Sequence, residues 1–147
     1  MKCQADIWTI AEDRLNDAQI LYDNGRLVAA YYIAGYCVEL MIKSKVCKTL
    51  GIEDFFDFDN PAKTKIPIPK EAYKPFKVHD LEQLMVLSGI YANFTQDLAT
   101  NNKLKVAWSI IGSWNENCRY LAGKTNRDAA DLLTSIRDFK EWIQNYL

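Results

Sequence analysis

The chain has 147 residues, 49% hydrophobic and 12% aromatic, with a formal net charge of −1 from 18 basic and 19 acidic residues. This length fits one domain around one core, and the hydrophobicity is too high for a disordered protein. The balanced charge excludes a global electrostatic field that would hold the whole molecule on nucleic acid or an anionic membrane. We expect a single helical domain over residues 1–147.

The four cysteines, Cys3, Cys37, Cys47 and Cys118, contain no CxxC pair, and two of them fall within predicted helix. This spacing favours neither a zinc site nor a disulfide framework, so we expect reduced and mostly buried thiols. The N-terminus turns acidic and polar too early for a signal peptide, and no run approaches the roughly 18 uncharged apolar residues of a membrane span. A cytoplasmic location without membrane contact is therefore expected.

The first 50 residues predict two antiparallel helices. Residues 5–24 carry apolar side chains at spacings of three and four, with acids and amides between them, which is typical of an amphipathic helix. Asn24-Gly25 predicts a short turn, which places the next helix antiparallel to the first. Residues 26–50 are apolar on nearly all sides as far as Ile42, which indicates a central buried helix that ends at Gly51.

Residues 52–78 differ in composition from the rest of the chain. Four acids are followed by five lysines and all four prolines. Because a helix cannot cross this proline spacing, we expect a long Pro/Lys-rich loop between helices 2 and 3. Lysines interleaved with aromatic and aliphatic residues could contact a nucleic-acid backbone, although a solvated loop is the more ordinary interpretation.

The second half of the chain predicts further helices. Asp80, with Gln83 three residues later, predicts the capped start of a short helix that ends near Gly89. A short helical piece follows near 93–100, and the apolar spacing of residues 103–121 predicts one continuous core helix. Thr125 or Asn126 caps the last helix. The predicted fold is all-α: an up-and-down helical bundle of four long helices plus a short helix.

One carboxylate stands out in the stretch AGYCVELMIKSK at 34–45. Glu39 has apolar neighbours, and Lys43 follows it by one helical turn. A buried charge is expensive unless it is paired, so we expect an ion pair between the two residues. Such a pair can serve packing specificity or a functional site, and the sequence leaves both interpretations open.

The order of three short motifs over residues 6–145, the 52–78 segment excepted, resembles the HEPN (higher eukaryotes and prokaryotes nucleotide-binding) family. The matching residues are Gly35, Tyr36, Glu39 and Lys43 for a Gly-Tyr-x-x-Glu-x-x-x-Lys pattern, His79, Asp80 and Leu81 for His-Asp-Leu, and Trp114, Arg119 and Tyr120 for Trp…Arg-Tyr. The resemblance implies a helical bundle, commonly a homodimer, in bacterial toxin–antitoxin, phage-defence and RNA-processing systems. Members often act beside a small nucleotidyltransferase.

Many members of that family are endoribonucleases, in which an Arg is followed after four to six residues by a His. This chain lacks the pair, and its one histidine is His79. Because a general base that titrates near neutral pH is almost always His, we expect no family-type RNA cleavage.

Three functional hypotheses follow from these residues. The first is a non-catalytic, nucleotide-associated interaction module that acts with a partner such as a nucleotidyltransferase-type antitoxin. The second is a ribonuclease with a non-standard site around Lys74, His79 and Arg119, and the third is a nucleotide- or small-anion-binding domain using Arg119, Lys43 and the basic loop. No catalytic residue, metal or cofactor is predicted. The predicted ligand- or partner-binding residues are Tyr36, Glu39, Lys43, His79, Asp80, Trp114, Arg119 and Tyr120.

Ordinary structural roles stay open for two of these residues. Arg119, near the end of a predicted helix, suits the negative end of the helix dipole, but its planar guanidinium also suits phosphate or a partner's carboxylate. His79, just before a helix cap, is either a turn residue or, beside Lys74 and Lys77, faces a phosphate.

Overall fold

A computed structural model describes residues 3–54 and 78–147 of the chain. Its described secondary structure is entirely helical, which confirms the all-α class for this part of the chain. Two 3-10 helices cover Glu116–Tyr120 and Gln144–Tyr146. The predicted Pro/Lys-rich loop lies almost wholly outside the described residues. The α-helices are α1 (Gln4–Asp23), α2 (Leu27–Leu50), α3 (Leu81–Leu87), α4 (Tyr91–Thr100), α5 (Asn102–Ile111) and α6 (Asn126–Ile143).

Helices α1 and α2 form the antiparallel pair that the short turn predicts. Gly25 adopts a positive φ of 71°, which lets the chain reverse between the two helices. At the far end of the pair, the Ser44 hydroxyl donates a hydrogen bond of 2.9 Å to the carbonyl oxygen of Gln4. The start of α1 therefore lies beside the end of α2.

Helix α2 is the central element of the described fold. Most of its residues are buried, and α1, α3, α6 and the 3-10 helix Glu116–Tyr120 pack against it. It is the one described helix long and apolar enough to cross a membrane, but 67% of its most apolar stretch is buried inside the protein. This pattern is consistent with the core helix of a soluble protein.

The caps predicted for α3 and α6 are confirmed. The Asp80 carboxylate accepts a hydrogen bond of 2.8 Å from the Gln83 backbone N–H at the start of α3. At the start of α6, the Thr125 hydroxyl accepts from the Asp128 N–H, and the Asp128 carboxylate accepts from the Thr125 N–H. These reciprocal bonds satisfy N–H groups that have no partner within the helix.

The single helix predicted over residues 103–121 is wrong. Helix α5 ends at Ile111, and a 3-10 helix begins only at Glu116. In the connection, the Asn115 side chain accepts from the Asn117 N–H at 3.0 Å and starts a new turn. The break lets Trp114 lie against α2, where a Cβ added to Gly35 would be 2.2 Å from the indole ring.

Candidate functional site

A buried charged cluster lies in the middle of α2. Glu39 is 0% exposed, and its Oε1 accepts a hydrogen bond of 2.5 Å from the Lys43 ammonium. Its Oε2 lies 2.9 Å from Nδ1 of His79, the second residue before α3. The expected pairing of Glu39 with Lys43 is confirmed, and His79 joins them as a partner that the sequence did not predict. We call these three residues the Glu39 cluster.

The hydrogen bond to Glu39 fixes the tautomer of the His79 ring. A carboxylate is an acceptor only, so the Nδ1 nitrogen must carry the proton and donate it towards Glu39. The His79 side chain is 49% exposed, whereas that of Lys43 is only 9% exposed. Atom Nε2, on the opposite edge of the imidazole, is therefore the nitrogen available to solvent or to a ligand.

The cluster is weak evidence for stability alone. Removing two charges from water costs several kcal/mol per ion, and apolar residues of similar volume often serve a core at least as well. The arrangement does tie the centre of α2 to the residue that precedes the Asp80 cap of α3. Burying the Glu39 carboxylate at this energetic cost is understandable if the protein needs the His79 imidazole held in one orientation for a binding site.

Tyr36 lies one turn before Glu39 on α2 and is half-buried. Burial, and next the negative charge of Glu39, raise the pKa of the Tyr36 phenol above its ordinary value. The phenol therefore stays protonated at neutral pH and can donate a hydrogen bond at the edge of the cluster.

A cavity of about 710 Å³ opens beside His79, between the start of α3 and the connection after α5. We call it the His79 cleft. This volume lies in the range of small-molecule and peptide sites. Its described lining residues are Val78, His79, Asp80, Leu81, Glu82, Gln83, Trp108, Gly112, Trp114, Asn115, Glu116 and Asn117.

The His79 cleft is rich in hydrogen-bond acceptors and carries negative charge. Asp80, Glu82 and Glu116 contribute carboxylates, and no lysine or arginine is among the described residues that line it. The indoles of Trp108 and Trp114 supply apolar surface. These described residues favour a ligand with N–H donors or positive charge.

Trp114 connects two of the sequence motifs. It is 4% exposed, and its Nε1 has no hydrogen-bond partner among the described residues. Since a Cβ at position 35 would clash with the indole, only glycine lets the ring approach α2 so closely. Gly35 thus sets the position of one wall of the His79 cleft.

Arg119 and Tyr120 lie on a different surface. The Arg119 guanidinium stacks over the Tyr120 ring at 4.9 Å, and Tyr120 is 75% exposed. Arg119 lines a second cavity of about 520 Å³ at the start of α2, together with Arg26 and Tyr32. We call this the Arg119 cavity. The Arg119 cavity and the His79 cleft share no described lining residue. The structure therefore does not bring His79 and Arg119 together in one site, as the ribonuclease hypothesis expected. Lys74, the third residue of that hypothesis, lies outside the described residues.

Six of the eight predicted site residues meet in one region of the described structure. Tyr36, Glu39, Lys43 and His79 form or adjoin the cluster, while Asp80 and Trp114 line the cleft. Sequence reasoning missed the polar segment Asn115–Asn117 as a wall of this cleft. The sequence did contain a signal for this wall: Ser113, Asn115 and Asn117, residues that favour helix caps and turns, follow Gly112 and interrupt the apolar periodicity.

No family model, curated protein or solved structure matches this chain. Within residues 3–54 and 78–147, no group of three or more His, Cys, Asp or Glu side chains is placed to hold a metal ion. The HEPN relationship rests on the order of the motifs and stays a prediction.

Proposed function

We propose that this chain is a HEPN-like up-and-down bundle that binds a protein partner at the His79 cleft and catalyses no reaction itself. The observation that carries the proposal is the buried Glu39 cluster, which presents a fixed imidazole to a cavity of about 710 Å³. The family resemblance adds a homodimer and a nucleotidyltransferase-type antitoxin as the expected partner, in a toxin–antitoxin, phage-defence or stress system.

The chemistry of the cleft supports a polypeptide ligand over a nucleotide. Aromatic residues are enriched at the centres of protein interfaces, and the cleft carries two indoles. Its carboxylates can accept from lysine or arginine side chains of a partner, and the Asn115 and Asn117 side chains suit backbone groups. A phosphate group would meet repulsion from the same carboxylates.

Affinity purification of the chain from its own cells tests the proposal, with mass spectrometry of the bound proteins and native mass of the complex. The cleft variant is Glu116→Lys, and its matched control is Asp131→Lys, the same charge change on the exposed surface of α6. We expect the wild type and the control to retain a nucleotidyltransferase-type protein at a fixed ratio. The cleft variant should bind it at least roughly tenfold more weakly, a change of about 1.4 kcal/mol.

Equal capture by all three forms would contradict binding at the His79 cleft. Recovery of only the chain's own dimer would contradict the proposal that the chain has a protein partner. The two outcomes are distinguishable: in the first the partner is still captured but binds at another surface, and in the second no partner is captured.

The Arg119 cavity supports a second candidate, the binding of a nucleotide or another small anion. Two arginines, Arg26 and Arg119, line it together with the first turn of α2, whose cap residue Arg26 provides no side-chain acceptor for the free N–H groups. Guanidinium groups and helix N–H groups both suit phosphate. A nucleotide should raise the Tm of the wild type but not of Arg119→Glu, with Arg127→Glu as the control. No rise with any nucleotide would contradict this candidate.

A ribonuclease is disfavoured by the carboxylates of Asp80, Glu82 and Glu116 among the described lining residues, because they repel an RNA backbone. Labelled RNA incubated with the purified protein should stay intact. Cleavage by the wild type that is lost in His79→Ala would contradict the non-catalytic assignment.

A further inference from the structure

Two thiols share a cavity far along α2 from the His79 cleft. Cys3 and Cys47 both line a space of about 570 Å³ where the start of α1 meets the end of α2. Cys3 is partly exposed, whereas Cys47 is 1% exposed. The hydrogen bond from Ser44 to the Gln4 carbonyl oxygen holds the two helix ends together one turn before Cys47 and one residue after Cys3.

Cys3 is also one of the groups that influence the ionisation of Cys47. Burial raises the pKa of the Cys47 thiol to about 12, and the next largest cause of the rise is Cys3. Lys43, one turn earlier on α2, acts in the opposite direction. The two sulfurs are therefore close enough to influence each other's ionisation.

We propose that Cys3 and Cys47 form a reversible disulfide when the protein meets a low-molecular-weight disulfide such as oxidised glutathione. The partly exposed Cys3 thiolate attacks the S–S bond of oxidised glutathione, which leaves a mixed disulfide and releases one glutathione thiolate. The Cys47 thiolate then attacks the sulfur of Cys3 and expels the second glutathione. Two protein S–H bonds are lost, one S–S bond forms, and the two protons end on the two released glutathione thiols.

The second step depends on pH through Cys47. Its thiol is protonated in all but a small fraction of molecules at neutral pH, because its pKa is about 12. While the pH stays well below the pKa of this thiol, the thiolate fraction, and with it the rate of ring closure from the mixed disulfide, rises about tenfold for each unit by which the pH is raised. Once formed, the bond closes a loop from residue 3 to residue 47 that contains all of α1. This loop restricts the unfolded chain, so the linked form should melt roughly 5–15 °C higher.

The test is equilibration of the full chain in defined ratios of reduced and oxidised glutathione, followed by alkylation, intact-mass measurement and non-reducing peptide mapping. We expect a mass loss of two hydrogen atoms, a peptide pair joined through Cys3 and Cys47, and reversal by excess reduced glutathione. Cys118→Ser, which removes a thiol outside this cavity, should still form the link. Cys3→Ser, at the partly exposed position, should lose it.

Three results would overturn the proposal. The first is a stable glutathione adduct on Cys3 with no internal link, and the second is a link through a different cysteine. The third is a Cys3–Cys47 link that leaves Tm unchanged, because strain in the folded protein would then offset the restriction of the unfolded chain, and the two thiols would not be placed for a bond in the native structure.

Discussion

Two regions of this protein are held together by different physics. Between α4, α5 and α6, the rings of Phe94, Trp108, Phe139 and Trp142 pack with centroids 4.7–5.7 Å apart. At the centre of α2, the Glu39 cluster is held by directional hydrogen bonds from Lys43 and His79 to one buried carboxylate. Aromatic packing adds up over many weak contacts, whereas the cluster depends on every member being present.

The comparison separates stability from specificity. Phe94, Phe139 and Trp142 do not line the cleft and contribute through buried area, so loss of one of these rings should weaken the fold and leave the polar groups of the cleft unchanged. Trp108 belongs to both regions. The buried Glu39–Lys43 pair contributes little net stability, but removing one of its charges breaks a buried ion pair and is costly. The predictions below test this distinction in order of expected effect.

The largest effect is expected from Phe139→Ala in the aromatic region. Phe139 is 0% exposed, and loss of its ring leaves a cavity, so the free energy of unfolding should fall by about 3–5 kcal/mol. Urea denaturation measures it, with Tyr120→Ala, an exposed ring outside the aromatic region, as the control. Partner capture at temperatures where the variant is folded should match the wild type. A loss below about 1 kcal/mol would contradict the aromatic account.

Glu39→Ala should destabilise the fold by a similar amount, about 3–5 kcal/mol, because Lys43 is left buried without this carboxylate. Replacing both charges, in Glu39→Leu/Lys43→Met, should recover most of that loss, since apolar residues of similar size remove both buried charges. Chemical denaturation of both variants measures the difference, with Glu82→Ala on the exposed face of α3 as the control. A double variant as unstable as the single one would mean that the carboxylate itself holds the fold.

Gly35→Ala should lower the free energy of unfolding by about 1–3 kcal/mol through overpacking against Trp114. Adding Trp114→Leu should relieve the clash, so the two changes should be less damaging together than their separate effects predict. A double-mutant cycle by urea denaturation gives the coupling. Strict additivity would show that the indole does not need the space above Gly35.

The smallest effect concerns the cap of α6. Hydrogen bonds from the backbone N–H and then the hydroxyl of Thr125 lower the pKa of the Asp128 carboxyl. A depressed folded-state pKa gives stability that is present above the unfolded value and is lost as pH falls through the folded value. Asp128→Asn should therefore flatten the loss of stability between about pH 5 and pH 2. Thermal unfolding as a function of pH measures this. The same loss of Tm at acidic pH in Asp128→Asn and in the wild type would contradict this contribution.

The sequence predicted those features that depend on near neighbours in the chain. The bounds of α1 and α2, the Asp80 and Thr125 caps, and the Glu39–Lys43 pair all arise from contacts within a few residues. The helix predicted over 103–121 was wrong because a distant contact, Trp114 against Gly35, overrides a local apolar period.

The candidate site was predicted in pieces and not as an arrangement. His79 lies 40 residues from Glu39, so their hydrogen bond depends on the packing of α3 against α2 and leaves no periodic signal. For the same reason, the sequence could not separate Arg119, which faces the start of α2, from His79 at the cleft.

The central claim is that the Glu39 cluster is present for binding more than for stability. Its most direct test is affinity purification of Glu39→Leu/Lys43→Met beside the wild type from the chain's own cells, with the unfolding free energy of each measured in parallel. The account predicts a folded variant of near wild-type stability that no longer retains the partner. A variant that retains the partner at the wild-type ratio would contradict the claim and leave the cluster a structural feature of α2.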